Sequence, residues 1–248
     1  MSTTRAEFFA RLQAQVARAR PLFPAAPAER PAQPARLAQA LRSELAGRWA
    51  PTLDRFQAQF ERVGGVLHRV PGVADVPPLL ARLAAERGAR RVVTWHPQAL
   101  GTDLTAGLRD RGLDVCVMPP GPVTDPGERA RLRETVAAAD LGVTGADLVV
   151  AETGSLVLRS GGGRPRSTSL LPPWHVAVFD RTVLIESLFQ LGVFLEAWRT
   201  EAPGPLDGAA VQIITGPSRT ADIELTLTRG VHGPREVHAV FVDVPFRE

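Results

Sequence analysis

From Gly64-Gly65 onward, short runs rich in branched apolar residues alternate with stretches of helical periodicity. "GVLHRV", "ARRVVTW" and "LDVCVMP" read as strands, and "VPPLLARLAAERG", "TDLTAGLRDRG" and "GERARLRETVAAAD" read as the helices that follow them. This βαβαβα rhythm leaves few solutions: a parallel sheet covered by helices, with right-handed crossovers. Next come "ADLVVAET" and "SLVLRS", split by Gly154 and expected to pair antiparallel. "WHVAVFD", a long helix around Glu186 to Trp198, "AAVQIITG" and "EVHAVFVD" complete the series, with no internal repeat. Upstream, Phe8, Phe9, Leu12 and Val16 mark one amphipathic helix, and "RPLFPAAPAERPAQPA" breaks it because dense prolines cannot continue a helix. Two further helical patterns run from Leu37 to Trp49 and from Leu53 to Val63. The expected organisation is a helical arm or cap over residues 1–62 and an α/β domain over 63–248.

The residue inventory excludes several chemistries. The sequence contains no lysine, so a Schiff base, a P-loop lysine and a lysine general base are ruled out. Cys116 is the only cysteine, which excludes an internal disulfide and a self-contained iron–sulfur cluster. The five histidines lack the i, i+4 spacing of a helical metal site, and no metal is expected on this chain. Acids are interspersed with the arginines, leaving a net charge of only +3, so nucleic acid is not an expected partner. No apolar run is long enough for a transmembrane segment and no secretory signal is evident, so the expected location is cytoplasmic.

Polar residues gather in two places. In "IITGPSRTADIELTLTRGVHGPREVHAVFVD", a strand ends at a Gly216-Pro217 turn, and Ser218 or Thr220 can serve as a helix N-cap. Backbone N–H groups at such an N-terminus bind anions, and Arg219 can grip a carboxylate or phosphate with two bonds. Asp222 and Glu224 then suit the helix dipole, although the alternation of Ile223, Leu225 and Leu227 leaves a strand open. Just beyond, His232 stands between Gly230 and Gly233, with Arg235 alongside. It can orient an acid or move a proton, or it can simply satisfy a carbonyl within a turn. The two turns are expected to face each other as one carboxylate site.

In "TGADLVVAETGSLVL", Glu152 emerges where a strand bends into Thr153-Gly154-Ser155. A carboxylate there suits a base or nucleophile, with Thr144, Thr153 and Ser155 as ligand hydroxyls; the competing reading is a hairpin corner that caps itself. Arg159, Arg164 and Arg166 flank Gly161–Gly163, either as an anion-binding lid or as a solvated connection. His96 and His175 are weaker candidates at strand edges.

These motifs, with "LLPPWHVAVFD", resemble the lactate utilisation protein C family, the LUD-domain proteins, over about residues 64 to 248. The resemblance implies a three-layer α/β/α fold with a mostly parallel sheet, of the NagB/RpiA/CoA-transferase-like superfamily. It implies a role in oxidising L-lactate to pyruvate beside iron–sulfur partner proteins, which would carry the redox centres. No cofactor is expected on this chain. Two readings compete: a subunit that binds the small carboxylate or docks partners, and an acyl or CoA-transferase-like enzyme using Glu152. Fold analogy alone does not choose between them.

Overall fold

The computed structural model describes residues 4–18, 31–200, 207–221 and 227–246. The chain opens with helices α1 (Arg5–Arg18), α2 (Pro34–Ala46) and α3 (Trp49–Arg62). Strand β1 (Val66–Val70), helix α4 (Val76–Glu86), β2 (Arg91–Thr94), short helices α5 (Pro97–Leu100) and α6 (Thr105–Arg109), and β3 (Asp114–Val117) follow. Then come α7 (Pro126–Ala138), β4 (Leu141–Gly145), β5 (Leu148–Val150), β6 (Ser155–Gly161) and α8 (Ser167–Leu170). The last part holds β7 (Trp174–Asp180), β8 (Leu184–Ile185), α9 (Leu188–Thr200), β9 (Asp207–Ile214), β10 (Arg219–Ala221), β11 (Leu227–Arg229) and β12 (Glu236–Val242).

Six strands form one sheet in the order β1-β12-β7-β4-β2-β3, every neighbour parallel. Its central members β4, β7 and β12 are buried almost throughout, as strands covered on both faces must be, and β7 and β12 read as near-continuous apolar runs. Helix α4 covers the face that carries Leu141, Val176 and His238. Helices α7 and α8 lie over the opposite face, that of Val93, Met118 and Gly142. This is the α/β/α layering expected. Starts are set locally: prolines occupy the first turns of α4 and α7, and Asp125 caps α7 by accepting the Glu128 N–H at 2.6 Å. No described helix is long and apolar enough to cross a membrane.

Three features depart from the linear reading. Strand β4 lies in the middle of the sheet, although "LGVTG" carries no strand pattern beyond two apolar residues. Gly142 is there because α8 sits directly on the strand: a Cβ at that position would fall on the Thr168 carbonyl oxygen. Second, β5 and β6 do pair antiparallel, but with β8 and β9 they build a separate sheet in the order β8-β5-β6-β9. One face of that sheet packs under α2 and α9 through Leu148, Val150 and Val157, and the other joins the main core through Val149, Leu156 and Leu158. Third, Arg219–Ala221 does not begin a helix. It pairs antiparallel with Leu227–Arg229 instead.

Helix α3 places Phe56 and Phe60 in the main core, fully buried and stacked with centroids 5.0 Å apart. Its packing there positions the polar turns described next.

Candidate functional site

The last turn of α3 is where the two sequence clusters meet. Gly154 has φ +62°, and a Cβ on it would fall on the Phe60 backbone N. Gly216, at φ +83°, leaves no room for a Cβ either: it would stand 2.6 Å from the Val63 carbonyl oxygen. That same carbonyl, at the end of α3, accepts a hydrogen bond from the Arg219 guanidinium. Helix ends leave carbonyls unpaired and carry partial negative charge, so a cation suits this position. A chain of hydroxyls ties the clusters together: Thr153 Oγ1 to Ser155 Oγ at 2.7 Å, then Ser155 Oγ to Thr215 Oγ1 at 2.7 Å.

Ser218 joins the Gly216 turn to the Gly230–Arg235 turn. Its N–H donates to the Pro234 carbonyl at 2.9 Å, its carbonyl accepts the Gly230 N–H at 3.1 Å, and its hydroxyl accepts the His232 N–H at 3.3 Å. Gly233 packs beside it, and Arg235 folds over Gly230, where any side chain would collide with it. The structure thus brings the two turns together. The side chains of Ser218, His232 and Arg235 sit at or near the surface, the last two exposed. Arg219 and Thr220 lie on β10, not at a helix N-terminus, because pairing with β11 satisfies the backbone there; the helix-terminus anion site therefore does not form. Asp222 and Glu224 lie outside the described residues. Arg219→Ala is expected to lower stability by about 1 kcal/mol, since an exposed charge-assisted bond to one carbonyl is lost. Thermal unfolding should shift down by roughly 2–4 °C, and an unchanged melt would show that the bond contributes nothing.

Glu152 is exposed at the β5–β6 corner, and its Oε2 accepts the Leu188 N–H at 2.8 Å, closing the first turn of α9. Thr144 lies elsewhere, fully buried on β4. The Gly161–Gly163 loop is pinned. The Gly163 carbonyl accepts the His96 N–H at 2.8 Å, and Asp147 holds both Arg159 and Arg164 at 3.2 Å.

The least legible groups are histidines. His175 is not at a strand edge but fully buried in β7, its Nε2 2.8 Å from Thr144 Oγ1. On the other face, His238 Nε2–H donates to Glu236 Oε2 at 3.1 Å, and Arg87 donates to the same oxygen at 2.7 and 2.9 Å. His238 Nδ1 is therefore an acceptor, taking a hydrogen bond from His68 Nε2–H at 2.9 Å. Burial, reinforced by its neighbour His238, pushes His68 down to about 4, and burial pushes His175 down to about 3. His238 is lowered too, burial outweighing the pull of Glu236. Burial alone would raise the Glu236 carboxyl, but the bonds from Arg87 and His238 prevail and lower it. The only advance sign was strand alternation, which sets His68 and His238 on one face once β1 and β12 are known to be neighbours.

The LUD domain family model matches residues 53–242, more than half of the chain. The chain belongs to the LUD domain family. It is similar to a lactate utilization protein C of Halalkalibacterium halodurans, 37% identical over 163 residues, 65% of this chain and 66% of that protein. A lactate utilization protein C of Shouchella clausii is 32% identical over 161 residues, 63% of this chain and 64% of that one. The matches thus span just under two thirds of these relatives' length. Among solved structures, a DUF162 family protein from Deinococcus radiodurans shares the fold, with TM-score 0.52, 21% identity, and coverage of 78% of this chain and 98% of that one.

Proposed function

We propose that this LUD-domain chain is a component of a lactate-utilisation system, serving as a substrate-binding or docking subunit in the oxidation of L-lactate to pyruvate. The observations behind this reading are the shared name of the relatives and a family match over the segment that holds both polar turns. Removing two electrons from a hydroxy acid needs an acceptor, and one cysteine cannot ligate an iron–sulfur cluster. The clusters therefore belong on cytoplasmic partner proteins. The small carboxylate sits beside the Ser218 double turn, where Gly216, Ser218 and Gly233 shape the backbone and His232 and Arg235 reach solvent.

Glu152 serves this reading as a cap for α9, with Thr153 and Gly154 shaping its corner, and not as an acyl acceptor. The test is growth on lactate of a strain lacking the gene, complemented with the wild-type chain or with Glu152→Gln, together with a pull-down from the complemented cells. Both chains should restore growth and capture iron–sulfur proteins. Loss of growth with a folded Glu152→Gln would instead support glutamate acyl transfer.

A further inference from the structure

We propose that the cleft at the carboxyl end of β3 is a second ligand site, for an organic anion with an apolar body. Its lining shares no residue with the Ser218 double turn, and it goes beyond the lactate reading. The cleft has a volume of about 460 Å³, within the range of small-molecule sites. Its floor is apolar, built by Met118, Leu132 and Val136 between β3 and α7. Its opposite wall is the glycine loop after β6.

Charge gives the cleft its selectivity. Among the described residues three arginines line it, Arg129, Arg133 and Arg166, and no aspartate or glutamate does. Bases and acids nearly balance over the whole chain, 29 against 26, so an acid-free apolar cleft with three guanidinium groups concentrates positive potential locally. The two other arginines of this region are held by Asp147, so they do not compete for an anion. Arg129 also fixes the lip by donating to the Val123 carbonyl at 2.9 Å. The glycine wall is equally fixed. His96 N–H holds the Gly163 carbonyl, Trp95 Nε1 donates to the Pro165 carbonyl at 3.4 Å, and Gly163, at φ +74°, has the His96 Cβ pressed against it. A preformed apolar slot with a cationic rim favours a carboxylate, sulfonate or phosphate ester that carries an acyl or aryl group.

The experiment uses the intact chain and 1-anilinonaphthalene-8-sulfonate as a fluorescent probe, displaced by octanoate or by octan-1-ol. The expected result is one saturable site from which octanoate displaces the probe at least about tenfold better than the alcohol, one charge-assisted contact's worth. Arg133→Ala with Arg166→Ala should weaken probe and octanoate about tenfold or more. Leu132→Trp, which fills the floor and keeps the arginines, should block both ligands. Should the arginine pair fail to fold, Leu132→Trp alone decides. Equal displacement by acid and alcohol, or binding that survives a folded variant of either kind, overturns the proposal.

Discussion

Gly154→Ala is expected to cost roughly 3–5 kcal/mol, from a left-handed backbone that alanine resists and from overlap with a neighbouring helix. The added methyl would stand on the Phe60 backbone N, 2.6 Å from the Gln59 carbonyl carbon and 2.7 Å from the Phe60 Cα. Backbone cannot rotate aside as a side chain does, so α3 must withdraw. Withdrawal loosens Phe56 and Phe60, both fully buried, and moves the Val63 carbonyl that meets Gly216 and Arg219. Urea unfolding should show the loss, and thermal unfolding should fall by roughly 6–20 °C. A loss under about 1 kcal/mol would mean that α3 is not seated on this turn.

The second large effect is acid lability that begins well above the carboxylate range. A histidine lowered in the folded state binds its proton in the unfolded chain first, so its stabilisation is complete above 6.5 and is lost as the pH falls towards the folded value. For His175 that window runs from 6.5 down to about 3, and for His68 from 6.5 down to about 4. Each fully buried neutral histidine contributes a slope of about 1.4 kcal/mol per pH unit. Stability should therefore drop by roughly 2–4 kcal/mol between pH 6.5 and 4.5, part of it from His68, which is only partly buried. Asp140, held at about 2 by Arg91 and nearby backbone N–H groups that prevail over burial, contributes in the same direction only at lower pH. His175→Gln removes a titrating ring while leaving Thr144 a polar neighbour, and its pH dependence should be shallower by about one proton. A flat urea-unfolding profile between pH 7 and 5 would show that these rings protonate without penalty.

The parallel sheet was readable because β2, β3 and β7 are apolar runs set between helical periods, a signal that depends only on neighbours in sequence. β4 was not, because Gly142 and Gly145 dilute the pattern, and the reason for Gly142 is α8, a contact between residues 26 positions apart. The turn after Gly216 offered both capping residues and alternation; pairing with Leu227–Arg229 decided it, which is tertiary information. In the candidate site, the two turns do meet through Ser218, but not at the helix N-terminus on which the expectation rested. Sequence spacing did not reveal that Arg219 reaches α3 or that Glu152 reaches α9, since both partners come from other elements. Part-buried polar networks such as Arg87–Glu236–His238–His68 depend on strand order, and single-strand patterns do not carry it.

Among the described residues strand β1 has its partner only in β12, the last strand of the sheet along the chain, inserted between β1 and β7. During synthesis β1 therefore emerges well before the strand it pairs with, since His238 follows His68 by 170 residues. Closing so long a loop is entropically expensive and slow. The strands from β2 to β7 can meet earlier, so the sheet grows from its far edge and is completed at β12. The His68–His238 contact is then among the last to form, and a chain stalled before Glu236 has neither the contact nor a place for β1.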